Sequence, residues 1–407
     1  MYKEWIDADI ANGLHTSRNE RYKRYREYAE GMQSVEPYKD LLGATGDSSY
    51  LNLNWEIVPI IPKFVDVIVG GLTNQDYKIK CTAIDQVSKD KRSLDKLKKL
   101  TQMELKEFSS EMAGITGLPF DAQNEGLPEN SDELDLYMEL DYKQAVEIAM
   151  EEGIALTFYL NDWEEIKKRI SRDLTVLSIA GSKTSVEDGK LKIRYVDPAN
   201  LVTSHSSRPD FKNIQHAGEI IYMTIHDLKK LAGEEFSDED YDNIARANAG
   251  KYGNPKGKNK NASYFNEYES SEYGTYKIAV LDGLFKTVDN LNYEKKDNKY
   301  GGYSINKKNK NYKQPKNPKY QRTQLKTSVE NIYKGMWVIG TDYIFDYGLA
   351  TNILRPKSNL SSAILPYSIY APNILNMNNK GLVERMIPFA DQIQLAHLKI
   401  QHLMSKA

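Results

Sequence analysis

The sequence predicts an α+β protein, and three observations carry that prediction. Apolar positions recur at helical spacing through the first 180 residues. From Lys190 the period drops to two, with Leu191, Ile193 and Tyr195 alternating with polar residues, and further on strand-like runs bracket a long Lys-, Asn- and Tyr-rich stretch. At 407 residues the chain exceeds the size at which one core stops growing, so more than one substructure is expected. A 40% hydrophobic, 28% charged composition with a formal net charge of -2 belongs to a folded chain, and such a balance names no partner.

Residues 14–32 carry Arg, Lys and Tyr at helical spacing and stop at Gly31 and Pro37, predicting one exposed helix. The most apolar stretch, Trp55 to Leu72, holds Pro59, Pro62, Lys63 and Asp66, so it is too short and too interrupted to span a bilayer. It predicts a buried helix with Pro62 at the first helical position, where a missing N–H is harmless. Ser88 to Met112 predicts a charged helix whose Leu94, Leu97, Leu105, Phe108 and Met112 keep to one face and pack along a larger body. Between Glu107 and Asp141 there are ten acids and no Lys or Arg, the pattern of an exposed acidic loop followed by a helix. Tyr142 to Ile179 predicts two helices broken near Leu160–Asn161, with Asp162 capping the second.

The strand from Lys190 ends in a turn at Asp197 and Pro198. Ile220 to Met223 predicts another strand, followed by a short helix from Thr224 and an acidic helix near 237–247. Between Lys295 and Lys326 eleven Lys or Arg face one acid, Asp297, with Tyr300, Tyr303, Tyr312 and Tyr320 interleaved. Strand-like runs at Tyr276–Phe285 and Ser328–Tyr347 bracket this tract, which predicts a small β subdomain with a long protruding loop. An apolar strand is expected at Ala363–Ala371 and a helix from about Lys380. Its apolar positions Leu382, Met386, Phe389, Ile393, Ala396, Ile400 and Leu403 follow a heptad-like seam. Pro388 should kink this helix or open its second half. The run reaches Ala407 without a stop signal, so more helix is expected beyond it.

Motifs of catalysis are missing from the sequence: there is no GxxxxGK[ST], GxGxxG, HExxH, GxSxG or EF-hand loop. Gly181–Thr184 and Gly253–Lys258 lack the spacing of a phosphate cradle and are expected to be loops. His205, His216 and His226 are irregularly spaced, and His397 and His402 stand five apart on different helix faces, so no metal site is expected. The lone Cys81 excludes an intramolecular disulfide, fits a reducing compartment and is expected to be a small buried hydrophobe. No secretory signal opens the chain. The expectation is a protein without catalytic residues or cofactor.

The basic tract is the strongest local signal. Lys307, Lys308, Lys310, Lys313, Lys316, Lys319 and Arg322 are candidates for contact with phosphates, which lysines neutralise without reading bases. Contact with an acidic protein surface such as the 107–141 segment, and a merely solvated loop, are the alternatives.

In order, these pieces resemble portal proteins of tailed bacteriophages, most closely those of crAss-like phages. The resemblance is carried by YREYAEGMQ at Tyr25–Gln33, LNLNWEIVPIIPKFVDVIVGGL at Leu51–Leu72, and KIRYVDPANLV at Lys192–Val202 with Asp210 after it. LPYSIYAPN at Leu365–Asn373 and KGLVERMIPFADQIQLAHLKIQHLM at Lys380–Met404 complete it. It covers most of the chain, and its specificity lies in the order of the phrases. It implies a portal fold in a ring of twelve subunits at one capsid vertex of the virion, assembled in the host cytoplasm, through which double-stranded DNA enters and leaves. Implied partners are further copies, DNA without sequence specificity, the major capsid protein, terminase and the head-to-tail adaptor, with no membrane. Residues 1–220 map to a wing, 221–350 to stem and clip, and 351–407 to a return strand and the start of a channel helix, the crown being absent. Another head–tail connector or minor capsid protein is the alternative, and a DNA-processing enzyme a more distant one.

Overall fold

The computed structural model describes residues 14–42, 53–117, 128, 130–187, 189–248, 277–297, 302–309, 312–313, 322–375 and 377–406. They form a mixed α+β structure whose sheets are antiparallel. The chain divides into two compact units, Met1–Asn74 with Glu164–Ala407, and Gln75–Trp163.

The larger unit opens with α1 (Leu14–Glu30), which ends where Gly31 takes a left-handed φ of 72° and Met32 N–H reaches the Glu27 carbonyl at 2.8 Å. Pro37 opens the short α2 (Glu36–Leu41) from its first turn. α1 was expected to be exposed, but Tyr22, Tyr25, Tyr28 and Ala29 are buried along one face. They pack with Ile61, Val65 and Val69 of α3 (Ile60–Thr73) and Val383, Ile387 and Ala390 of α10 (Leu382–Lys406). Pro62 falls in the first turn of α3, yet that helix buries only one stripe: Phe64 and Val67 are exposed.

In the smaller unit, α4 (Gln86–Thr116) is capped by the Asp85 carboxylate, which accepts from Ser88 N at 3.0 Å. Its stripe of Leu94, Leu97, Leu105 and Phe108, expected to be packed, is exposed. α5 (Ser131–Leu140) lays Leu134 and Met138 inward, and its Asp135 pairs with Lys96 of α4 at 2.5 Å. The part of the acidic segment that is described is thus neutralised in part by α4. α6 (Ala145–Leu160) begins at a capping box of Gln144 and Glu147, and Glu147 also accepts from Ala83 N at 2.8 Å. Cys81 is half-buried, and its N–H reaches Glu151 at 2.9 Å. The break at Leu160 falls where predicted, and Asp162, the residue directly before α7 (Trp163–Val176), holds the turn with a φ of 50°.

From Ala180 the larger unit is built from strands. A three-stranded sheet has the order β2 (Lys190–Val196), β1 (Ala180–Glu187), β9 (Tyr367–Tyr370). A six-stranded sheet runs β3 (Leu201–Thr203), β4 (His216–Met223), β5 (Ile278–Asp297), β7 (Arg322–Val338), β8 (Ile344–Leu349), with β6 (Tyr303–Lys308) beside the outer part of β5. Gly181–Thr184, expected as a loop, lies within β1, while Gly253–Lys258 falls outside the described residues. β4 lies so close to β5 that a Cβ on Gly218 would come within 2.9 Å of the Asp282 carbonyl. α8 (Ile225–Ala232), capped by Thr224 and Asp227, and α9 (Asp238–Asn248) cover Ile278 and Val280 of β5. Further along the same face, Leu284 and Ile332 meet Leu365, Tyr367 and Ile369 of the region around β9. A short ladder, β10 (Ile374–Leu375) with β11 (Asn378–Asn379), leads into α10.

Candidate nucleic-acid and partner interface

The basic tract was expected to be a loop between strands ending near Phe285 and beginning near Ser328. Instead, β5 and β7 run on as a continuous ladder from Val280↔Val338 to Lys296↔Arg322. β4 ends opposite Phe285 and β8 opposite Tyr333. Beyond that point β5 and β7 project as an arm, joined at Asn292 by β6. At about 3.3 Å per residue, the ladder from Lys286 to Lys296 extends roughly 35 Å past the body of the sheet.

Of the seven candidate contact residues, Lys307, Lys308, Lys313 and Arg322 are described, while Lys310, Lys316 and Lys319 lie outside the described residues. The arm separates those four by role. Glu294, with only 3% of its side chain exposed, takes an ion pair from Lys308 at 3.2 Å and another from Arg322 at 2.9 Å. The Tyr312 hydroxyl donates to the same carboxylate. That hydrogen bond, with Arg322 and Lys308 behind it, holds the Glu294 carboxyl down to about 2. Lys308 and Arg322 are therefore committed to an internal carboxylate, whereas Lys307 and Lys313 are exposed.

The arm has two chemically different faces, because directly opposed residues of a ladder share a face. Lys308, Asn292, Glu294 and Arg322 belong to one, where Asn292 and Glu294 are buried. The other holds Tyr293 between Lys307 and Leu325, Lys295 between Ile305 and Thr323, and Asp297 opposite Tyr303. There Tyr303, Ile305 and Leu325 are exposed, and Lys295 lies over the Tyr303 ring at 4.5 Å.

The turn at Asp197 and Pro198 is a junction. Asp197 accepts from Ala199 N at 2.9 Å and from both terminal nitrogens of the Arg26 guanidinium, at 3.1 and 2.7 Å. Arg26 also approaches Asp173 at 3.5 Å, and the Tyr195 hydroxyl donates to that same carboxylate. Burial outweighs both partners and raises the Asp173 carboxyl to about 6. The group borders a cavity of about 250 Å³ walled also by Glu30, Arg169 and Arg172, with Arg172 paired to Glu30.

The predicted seam of α10 points the other way from its packing. Val383, Ile387, Ala390, Gln394 and Leu398 are buried, while Phe389 (67% exposed), Ile393, Ala396, Ile400 and Leu403 face outward, with Leu382 and Met386 half-buried at the margin. Gln394 belongs to the inner stripe because both ends of its amide find main-chain partners, the oxygen accepting from Val58 N at 3.0 Å and the nitrogen donating to Glu56 O at 2.9 Å. Asp391 on the same helix accepts from Tyr28 at 2.7 Å and Tyr38 at 2.6 Å.

Sequence reasoning missed a set of four charges between the sheets, of which Lys183 and Glu219 are buried and Asp282 and Arg194 half-buried. Lys183 and Arg194 are cross-strand neighbours in the small sheet, and Glu219 and Asp282 in the large one. Lys183 pairs with Asp282, and Arg194 with Glu219 at 2.5 Å. Alternating charge on a strand reads as a solvated face, so no local signal marks this set. Beside it lies a cavity of about 520 Å³ with an apolar wall of Leu284, Ile332, Met336 and Ile353. Among the described residues no group of three His, Cys, Asp or Glu could hold a metal ion, and no helix is long and apolar enough to cross a membrane. No protein-family model matches the chain, and no curated protein matches it.

Proposed function

We propose that the chain is a structural, non-catalytic portal-type subunit: one of twelve copies in a ring at a capsid vertex of a tailed bacteriophage, serving as the conduit for double-stranded DNA. The observation that carries the reading is the arm, a ladder of β5 and β7 joined at its outer end by β6, which projects from the body of the sheet and carries the described basic residues Lys307, Lys308 and Arg322 there. A conduit must hold phosphates through many weak contacts, and exposed lysines such as Lys307 and Lys313 supply charge without base recognition. The outward apolar seam of α10 adds support, because a stripe of large apolar side chains left uncovered marks a surface for assembly.

On this reading the arm docks terminase during packaging and the head-to-tail adaptor afterwards, the body meets the major capsid protein, and the virion is the site of action. A different head–tail connector or minor capsid protein is the second reading, since uncovered apolar helix faces suit any large assembly. Negative-stain imaging of the purified protein tests both. A ring with a hole near DNA width is expected; a partner-dependent, non-ring particle favours the second reading, and a compact monomer that cuts or joins DNA overturns both.

A further inference from the structure

The arm carries two open strand edges. Among the described residues, β6 pairs only with β5, and β7 pairs with β5 alone over Arg322–Val329, short of the point where β8 begins. Glu330 N turns away from β5 to reach the Ser361 carbonyl at 2.8 Å. Strand alternation then aims the N–H groups of Ser328, Lys326 and Gln324 to the same open side. An edge of this kind is a template for another strand. The arm is also bare on one face, where Tyr303, Ile305 and Leu325 are exposed at the outer end of a ladder only three strands wide. Such a ribbon has little stability alone.

We propose that the arm completes its sheet with a second copy of this chain, the open edge of β7 in one copy pairing with the open edge of β6 in the next. Both strands are antiparallel to β5 and so run in the same direction, which makes the new ladder parallel. Each arm offers one edge of each kind, so repetition leaves no edge unused except at the ends of an open chain. A contact between two different surfaces of the same subunit closes into a ring when its rotation closes. The apolar faces become continuous as well, with Tyr303 and Ile305 of one copy beside Leu325 of its neighbour. A second arm is preferred to an acidic peptide or to DNA because main-chain pairing is indifferent to charge, and two of the described cations, Lys308 and Arg322, are committed to Glu294.

The inference rests on the ring reading and is tested separately from it. Lys326→Pro removes an N–H that points away from β5, so the internal ladder should keep its bonds and the thermal midpoint should stay within a few degrees of wild type. Its self-association, measured by sedimentation velocity, should weaken at least tenfold. In wild-type assemblies the amides of Gln324, Lys326 and Ser328 should exchange hydrogen at least tenfold more slowly than in dissociated subunits, a readout that needs no variant. Rings that form normally with Lys326→Pro and leave these amides unprotected overturn the edge pairing and leave the ring reading standing. A wild-type chain that stays monomeric at every concentration overturns the ring reading itself.

Discussion

Asp173 shows how burial and pairing compete at one carboxyl. Its side chain is 9% exposed, and burial raises its pKa to about 6 although Arg26 and Tyr195 both favour the ionised form. An unfolded chain ionises an aspartate near pH 4, so between roughly pH 4 and 6 the folded form binds more protons. The stability this group confers is therefore complete below about pH 4 and lost as pH rises through 6, by up to ~3 kcal/mol for a shift of ~2 units. Asp173→Asn titrates nothing. Urea unfolding at pH 4.5 and pH 7 should show the variant gaining on wild type at the higher pH, and a difference independent of pH would mean that Arg26 keeps the carboxylate ionised throughout. Glu294 is the opposite case, held ionised by Tyr312, Arg322 and Lys308. Glu294→Gln should speed amide exchange in β6 and the start of β7 while Ile278–Leu284 stay protected. Unchanged exchange in the arm would show that the ladder alone holds it.

Helix α10 tests how burial is shared between two stripes of one element. Leu398 is fully buried, so Leu398→Ala should cost about 2–5 kcal/mol, read from denaturant midpoints. Phe389 and Leu403, each 67% exposed, should tolerate serine within about 1 kcal/mol in the monomer, while the paired change weakens assembly seen by light scattering. The reverse ranking would place the packing on the outer stripe. Periodicity selected the outer stripe because it is the more apolar of the two. The inner stripe includes Ala390 and Gln394, and only the main-chain partners at Glu56 and Val58 make a glutamine there tolerable. Gly381, just before this helix, has a tertiary reason of its own: a Cβ there would lie 2.8 Å from the Val176 carbonyl.

For the molecule as a whole, the proposed ring gives the basic tract a role that can be measured. Neutralising the lysines from 307 to 319 should weaken ring assembly, adaptor docking or DNA passage, measured in reconstituted particles over a series of salt concentrations. If DNA is the contact, the variant should also lose part of the salt dependence, since each phosphate neutralised contributes about 0.9 to the slope for duplex DNA. If all three are unchanged, the tract is a solvated loop. The suggestion that the 107–141 segment complements this tract loses part of its charge to Lys96, which already pairs with Asp135.

The sequence was sufficient for whatever depends on neighbours along the chain. It placed most of the helices, the strand from Lys190, the turn at Asp197, the stop at Gly31 and the break at Leu160, because spacing, capping and backbone preference act within a few residues, but it took the first strand, Ala180–Glu187, for a loop. It could not give the length of β5 and β7, whose outer halves are polar and become strand only by pairing with each other. Nor could it show that Lys308 and Arg322 are committed to Glu294, that Lys183 and Asp282 meet between two sheets, or which stripe of α10 is inside. Each of these depends on a partner tens to hundreds of residues away. A charge or an apolar stripe carries no mark of its partner until the chain has folded around it.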